Sequence, residues 1–181
     1  EMPETLVAVA EYADIAGAMD VQVQGDYAYV LDNGRGLYVI DISDPEHPEY
    51  VNRWGNYMPG QYQGLFIEDN YAYIANFAIG VKIVNIADPM DMYELSVFNT
   101  DGLANRCFKY DDRLYVADGT NGLVILDVSD PDDMTLLGTY PTGGYVRDVK
   151  AKENRAFIAD IANGFMCLDI VDPSAIERLG Y

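Results

Sequence analysis

The sequence predicts an all-β chain: a β-propeller built from four copies of one four-stranded antiparallel blade. Three observations carry that expectation. The segments Asp20–Pro45, Gly64–Pro89, Arg106–Pro131 and Asp148–Pro173 align with one another without a gap. Their closing Asp-Pro prolines recur after 44, 42 and 42 residues, close to the period of a four-stranded blade. No apolar pattern of period 3.6 persists along the chain, so no substantial helix is expected.

Within each copy the strands follow in order. In the first, Val21 and Val23 alternate with polar residues, Tyr27-Ala28-Tyr29-Val30 forms a second run and Leu37-Tyr38-Val39-Ile40 a third. A fourth follows the Asp-Pro, as in Tyr50 to Trp54 or Leu136 to Tyr140. These runs are rich in β-branched and aromatic residues and are bounded by Gly, Asp, Asn and Pro, which is the composition of strands and their turns. The third run is apolar almost throughout, as expected of a strand covered on both faces by neighbouring blades. Each Val or Ile buried that way contributes about 1.5–3 kcal/mol.

The turns have chemical causes. Between the second and third strands lie 32–36, 76–80, 118–122 and 160–164, each opening on Asp or Asn and closing on Gly. The opening side chain can accept from the backbone ahead of it, and the glycine can take positive φ. After the third strand, Asp44-Pro45 and its equivalents at Asp88, Asp130 and Asp172 stop the ladder, because proline has no N–H to donate.

These periods divide one propeller, 1–181, into blades at 18–60, 61–103, 104–145 and 146–181, with 1–17 as an outer strand of a preceding blade and its connection. Pro3-Glu4-Thr5-Leu6-Val7-Ala8 matches Pro48-Glu49-Tyr50-Val51-Asn52-Arg53, while Ile176 to Tyr181 starts a fourth strand for the last blade too. A ring closed within one shared blade would not need both. The expectation is therefore part of a larger ring, either a segment of a longer chain or a protomer completed by another. A self-closed four-blade ring is the alternative. The opening on Glu1 rather than Met suggests an upstream piece removed or omitted.

Charge bounds the partners. The 30 Asp and Glu against 11 Lys and Arg give −19, which repels nucleic-acid backbones and anionic lipid. Hydrophobic residues at 50% and charged residues at 23% are globular proportions, and 15 tyrosines suit strands and contact surfaces. No transmembrane segment is expected: the most apolar N-terminal stretch, Leu6 to Met19, is broken by Glu11 and Asp14.

Gly36–Pro45 and Gly122–Pro131, each following a Tyr-Val-x-Asp, resemble the LVIVD repeat. The resemblance extends from about residue 18 to 181, with drift to Asn85 in the second copy and Phe165-Met166-Cys167-Leu168 in the fourth. It implies a β-propeller in an extracellular, cell-surface or periplasmic protein. It brings no catalytic motif.

Reactive side chains are few. Cys107 takes the slot of Val21, Leu65 and Val149, and Cys167 that of Val39, Ile83 and Ile125, so both read as core residues rather than a disulfide or metal pair. His47, the only histidine, sits in the turn Asp44-Pro45-Glu46-His47-Pro48 with no Ser or Cys assignable to it, which argues against a hydrolase. Asp127, Asp130, Asp132 and Asp133 could offer oxygen ligands, but Asp130 is the recurrent turn residue and no Asp-x-Asp-x-Asp-Gly pattern occurs. No catalytic residue, metal or cofactor is expected.

The functional signal lies where the copies disagree. Turns between strands two and three share a ring face with the connections leading into strand one. That face carries Arg35, Tyr62, Arg106, Tyr145 and Arg147, which could hold a carboxylate or a sulfated glycan with tyrosine as stacking surface. The alternative is that these arginines balance local Asp, as Arg147 beside Asp148. Two functions follow. One is a non-enzymatic interaction or scaffolding module whose partner is a protein or further blades of the same or another chain, with homo-oligomers possible and Trp54 among the candidate anchors. The other is a ligand-binding (glycan or small-anion) or enzymatic propeller working at the central channel mouth.

Overall fold

The computed structural model describes residues 8, 10–58 and 61–180 and contains four separate antiparallel four-stranded sheets, each strand bonded to the next in sequence. Blade 1 holds β1 (Ala18–Gln24), β2 (Tyr27–Asp32), β3 (Gly36–Asp41) and β4 (Glu49–Trp54). Blade 2 holds β5 (Gly64–Glu68), β6 (Tyr71–Ala75), β7 (Val81–Asn85) and β8 (Tyr93–Phe98). Blade 3 holds β9 (Arg106–Tyr110), β10 (Arg113–Ala117), β11 (Leu123–Asp127) and β12 (Thr135–Tyr140). Blade 4 holds β13 (Val146–Lys152), β14 (Arg155–Asp160), β15 (Gly164–Asp169) and β16 (Glu177–Leu179). Among the described residues no strand pairs with a strand of another copy, and every named element is a strand. This is the propeller-blade architecture that the repeat predicts. The outer strand expected at Pro3 to Ala8 lies outside the described residues, Ala8 excepted.

Local chemistry explains the regularity. The residue opening each first hairpin turn, Gly25, Asp69, Asp111 or Glu153, has φ between 51° and 59°, where Gly and Asp are tolerated best. Gly36, at the start of β3, and Gly80 and Gly122, immediately before β7 and β11, have φ of 90–98° where the chain crosses the end of the fourth strand. A Cβ there would lie 2.1–2.2 Å from the carbonyl oxygen of Trp54, Phe98 or Tyr140, so the position admits only glycine.

Strand alternation gives each blade two apolar faces, one toward the preceding blade (upstream) and one toward the next (downstream). Tyr29, Leu31, Leu37 and Val39 of blade 1 pack on Leu65, Ala72, Ile74 and Val84 of blade 2. Tyr73, Ala75, Val81 and Ile83 meet Cys107, Leu114, Val116 and Leu126. Tyr115, Ala117, Leu123 and Ile125 meet Val149, Ala156, Ile158 and Leu168. The core is thus three equivalent interfaces between blades, not one central cluster.

Candidate functional site

The turns after the second strands and the lead-ins to the first strands do share one face. Phe77 and Ala104 exchange backbone hydrogen bonds, Val146 N–H donates to the Gly119 carbonyl, and Tyr62 N–H to that of Asn33. Each link joins the turn of one blade to the lead-in of the next. The N-terminal ends of β1, β5, β9 and β13 therefore lie side by side beneath this face.

There Arg106, on β9, reaches back along the row. Its guanidinium donates to the Gln63 carbonyl and lies 3.7 Å from the Asp20 carboxylate on β1. Gly64, the residue between them in the row, leaves room: a Cβ on it would sit 3.0 Å from Arg106 Cα. Asp20 Oδ2 also accepts from Leu65 N–H at 3.0 Å. Arg106 is thus a cross-brace over three blades. With both partners partly solvated, its ion pair contributes about 0.2–1 kcal/mol.

Asn105, 2% exposed, is a second hub. Its Oδ1 accepts from Arg147 Nη1 at 3.1 Å and from the Tyr145 hydroxyl at 3.3 Å. Its Nδ2 donates to the carbonyls of Leu103 and Val146. Arg147 is exposed and this neutral oxygen is its hydrogen-bond partner. Arg35 is exposed in its turn, its backbone N–H donating to Asp32 Oδ1 at 2.8 Å. Tyr62 departs from the expectation. It is 1% exposed, set edge-on to Trp54 and donating its hydroxyl to the Asn56 carbonyl, so it belongs to the core and offers no stacking surface. The expected group is therefore split: Tyr145 and Arg147 meet at Asn105, Arg106 turns the other way toward blades 1 and 2, Arg35 stands on blade 1, and Tyr62 is internal.

The sequence places an aspartate at the head of the turns 118–122 and 160–164, but the threonines that hold the aspartates are not visible in the turn motif. Asp118 Oδ1 accepts from the Thr100 hydroxyl at 2.6 Å and Oδ2 from Asn121 Nδ2 at 2.8 Å. Asp160 repeats the threonine bond with Thr142 at 2.5 Å and adds backbone donors from Ala162 and Asn163. Burial lifts the Asp118 carboxyl above its ordinary range; at Asp160 burial acts the same way, but its four donors outweigh it and hold the carboxyl low. Both threonines lie 18 residues before their aspartate, and that spacing is the signal that could have found them. In blade 2 the same count falls on Met58, and Asn76 replaces the aspartate with neither side-chain polar atom partnered.

The remaining candidates are structural in their contacts. His47 Nδ1 lies 2.9 Å from Asp44 Oδ2 on an exposed turn. Asp127, Asp130 and Asp172 each accept from a backbone N–H two residues ahead, closing their own turns. Cys107 is buried, points its thiol at the Tyr73 carbonyl, and burial pushes its pKa up to about 12. Cys167 is free and only half-buried, although its register equivalents Val39, Ile83 and Ile125 are fully buried. Trp54 is partly covered, with Lys82 Nζ 5.7 Å above its ring and paired to Glu94 at 2.6 Å. No described helix is long and apolar enough to cross a membrane.

Comparison with known proteins agrees with this geometry. Among solved structures, 88% of the chain superposes on 47% of the computationally designed Ika8 protein, with TM-score 0.71 and 9% identity. The chain thus spans about half that protein's length. It covers 97% of itself and 99% of the designed Ika4 protein at TM-score 0.70 and 13% identity. A chain of the S. cerevisiae complex of dbp5 bound to nup159, gle1, ip6 and adp matches at TM-score 0.58 and 11% identity, over 90% of this chain and 47% of that one. Such identities speak to fold alone. A search of curated proteins returns no match. The profile of the LVIVD repeat, however, matches four times in succession, at residues 16–57, 59–100, 103–142 and 143–179. The chain belongs to the LVIVD-repeat family.

Proposed function

We propose that this propeller is a non-catalytic interaction scaffold working outside the cytoplasmic membrane, with its ring face as the docking surface. The observation that carries the reading is how the polar side chains of that face are used. Arg106, Asn105, Asp118 and Asp160 are consumed in tying turns to lead-ins, and the ring-face side chains left outward are of mixed chemistry. Tyr57 is 71% and Ile161 72% exposed, with Arg35 and Arg147 also exposed. Aromatic, apolar and arginine side chains around a rigid frame suit a protein partner. A reaction would need a positioned nucleophile or acid–base pair; His47 is in an opposite-end turn, Cys107 is buried, and half-buried Cys167 lies within β15, three residues past its ring-face turn.

Cell fractionation followed by cross-linking tests this reading. Recovery outside the cytoplasmic membrane with a protein partner, whose capture falls at least about tenfold in an Arg35→Glu, Arg147→Glu variant, is the expected result. Residence in the cytosol would overturn the location. Loss of a bound glycan or small anion in that variant, with no protein partner, would replace the scaffold by the ligand-binding reading.

A further inference from the structure

Each internal junction combines three devices: apolar faces, a backbone link on the ring face, and a contact at the outer edge. At that edge Asn52 Nδ2 donates to the Pro89 carbonyl at 3.0 Å and Ser96 Oγ to that of Pro131 at 2.6 Å. Gly138, at the same position of blade 3, lies so close that a Cβ would be 1.8 Å from the Pro173 carbonyl oxygen.

The two ends of the stack carry the unmated halves of all three devices. The backbone link would join Ile161, 72% exposed, to Ala18, also exposed, whereas the equivalents of Ala18 at Tyr62, Ala104 and Val146 are at most 1% exposed. The edge contact would join Gly180, around whose would-be Cβ nothing lies within 4 Å, to Pro45, which is exposed. The apolar halves are Phe165, 71% exposed, and the pair Val21 and Val23, 57% and 63% exposed. By contrast Leu65, Cys107 and Val149, in the register slot of Val21, are at most 4% exposed. Depressions of about 260 Å³ beside Phe165 and about 310 Å³ beside Val21 mark the two faces. On blade 1 the outer half of the face is already covered, Tyr38 lying under Tyr50 and Arg53, so the open area is β1 and β2.

Charge matches the two ends to each other. Residues 146–160 carry Arg147, Lys150, Lys152 and Arg155 against Asp148, Glu153 and Asp160. At the other end no Lys or Arg precedes Arg35, while Glu11, Asp14, Asp20 and Asp26 do. Arg147 and Lys150 are held on blade 3 and Asp20 on Arg106, which leaves exposed Lys152 and Arg155 at one end and exposed Glu11, Asp14 and Asp26 at the other as the opposite charges available to a junction.

We propose that a second copy of this chain occupies these faces: two copies join head to tail, blade 4 of each against blade 1 of the other, closing a ring of eight blades through two identical junctions. A head-to-tail contact closes only if its rotation fits, and the arc here superposes on 47% of the longer designed chain, so two arcs amount to one such chain. The ring-face reading above shares Ile161 and Arg147 with this junction, both lining the depression beside Phe165, and the tests separate the two: mass, read through Val21 and Phe165, for the junction, and partner capture for the ring face.

Light scattering across a wide concentration range is the test. The mass of two chains, not growing further with concentration, is expected. A monomer throughout overturns the proposal and assigns these faces to blades outside this sequence; a ladder of growing masses overturns closure. Val21→Asp and Phe165→Asp should each raise the dimer dissociation constant at least about tenfold, with the β circular-dichroism spectrum retained. Mixing the two variants should restore dimers, because one junction between them is free of either substitution. Dimers indifferent to both changes would overturn the head-to-tail contact. Without any variant, alkylation of Cys167 should slow as protein concentration rises; a concentration-independent rate would overturn its burial at the junction.

Discussion

Leu123 and Phe165 occupy the same place on the same strand of successive blades, yet one is fully buried and the other 71% exposed. Ile125 and Cys167, two residues further along, differ in the same way. Their strands pair identically with β10 and β14, each third strand facing the second in unbroken register. What differs is whether, among the described residues, another blade packs against the face. In a stacked fold the backbone of a repeat is set within its own sheet, while the environment of its faces is set by its neighbours. Position in the array, and not local sequence, decides which apolar residues stabilise the single chain.

Truncating the two residues should separate them most widely. Leu123→Ala should cost about 2–5 kcal/mol, because it removes packed methyls between blades 3 and 4 and leaves a cavity. Phe165→Ala should change the stability of the single chain by no more than about 0.5 kcal/mol, because its ring rests mainly on Phe157 at 6.2 Å and otherwise faces solvent. Denaturant titrations at protein concentrations too low for association would compare them. Equal losses would mean that blade 4 is covered on both sides within one chain.

The same distinction explains what could be read from the sequence. The fold was legible because its signals repeat: the Asp-Pro stops, the Asx-to-Gly turns and the apolar third strands recur four times, so local ambiguity averages out. The site was less legible because disagreement between copies has two causes. At Tyr62, against Ala104 and Val146, the difference is one of packing volume. The lead-in to blade 2 runs two residues longer than the others, and the tyrosine fills the space beneath it. At Arg106 the difference is a cross-brace permitted by the missing side chain of Gly64. Register places Cys167 in the core, and it is half-exposed because no blade among the described residues packs against its face. Neither volume nor array position is visible in a local motif.

A smaller contrast separates the two threonine-held turns. Asp118 depends on two side-chain donors, Thr100 and Asn121, and is fully buried. Asp160 keeps two backbone donors whatever happens to Thr142. Thr100→Val should therefore cost about 1–3 kcal/mol, since it leaves a buried carboxylate short of a partner, and Thr142→Val about 0.5–1.5 kcal/mol. Thermal melts of the two variants would rank them, and the reverse order would place the main support of Asp118 elsewhere.

The smallest effect separates the same turns by pH, with opposite signs. The Asp118 carboxyl is raised by burial, so its contribution favours the folded chain below the unfolded pKa of about 3.9 and is lost as pH rises through the higher folded value. The Asp160 carboxyl is lowered, so its contribution is present above about 3.9 and is lost as pH falls through the folded value. Replacing each by Asn removes the titration. Relative to the parent chain, Asp118→Asn should become progressively less harmful as pH rises from acid toward neutral. Asp160→Asn should become progressively more harmful over the acid limb of the same range. Denaturation midpoints measured across that range would show the two difference curves sloping in opposite directions. Parallel slopes would mean that the backbone donors at Ala162 and Asn163 do not set the charge state of Asp160, and that burial governs both turns alike.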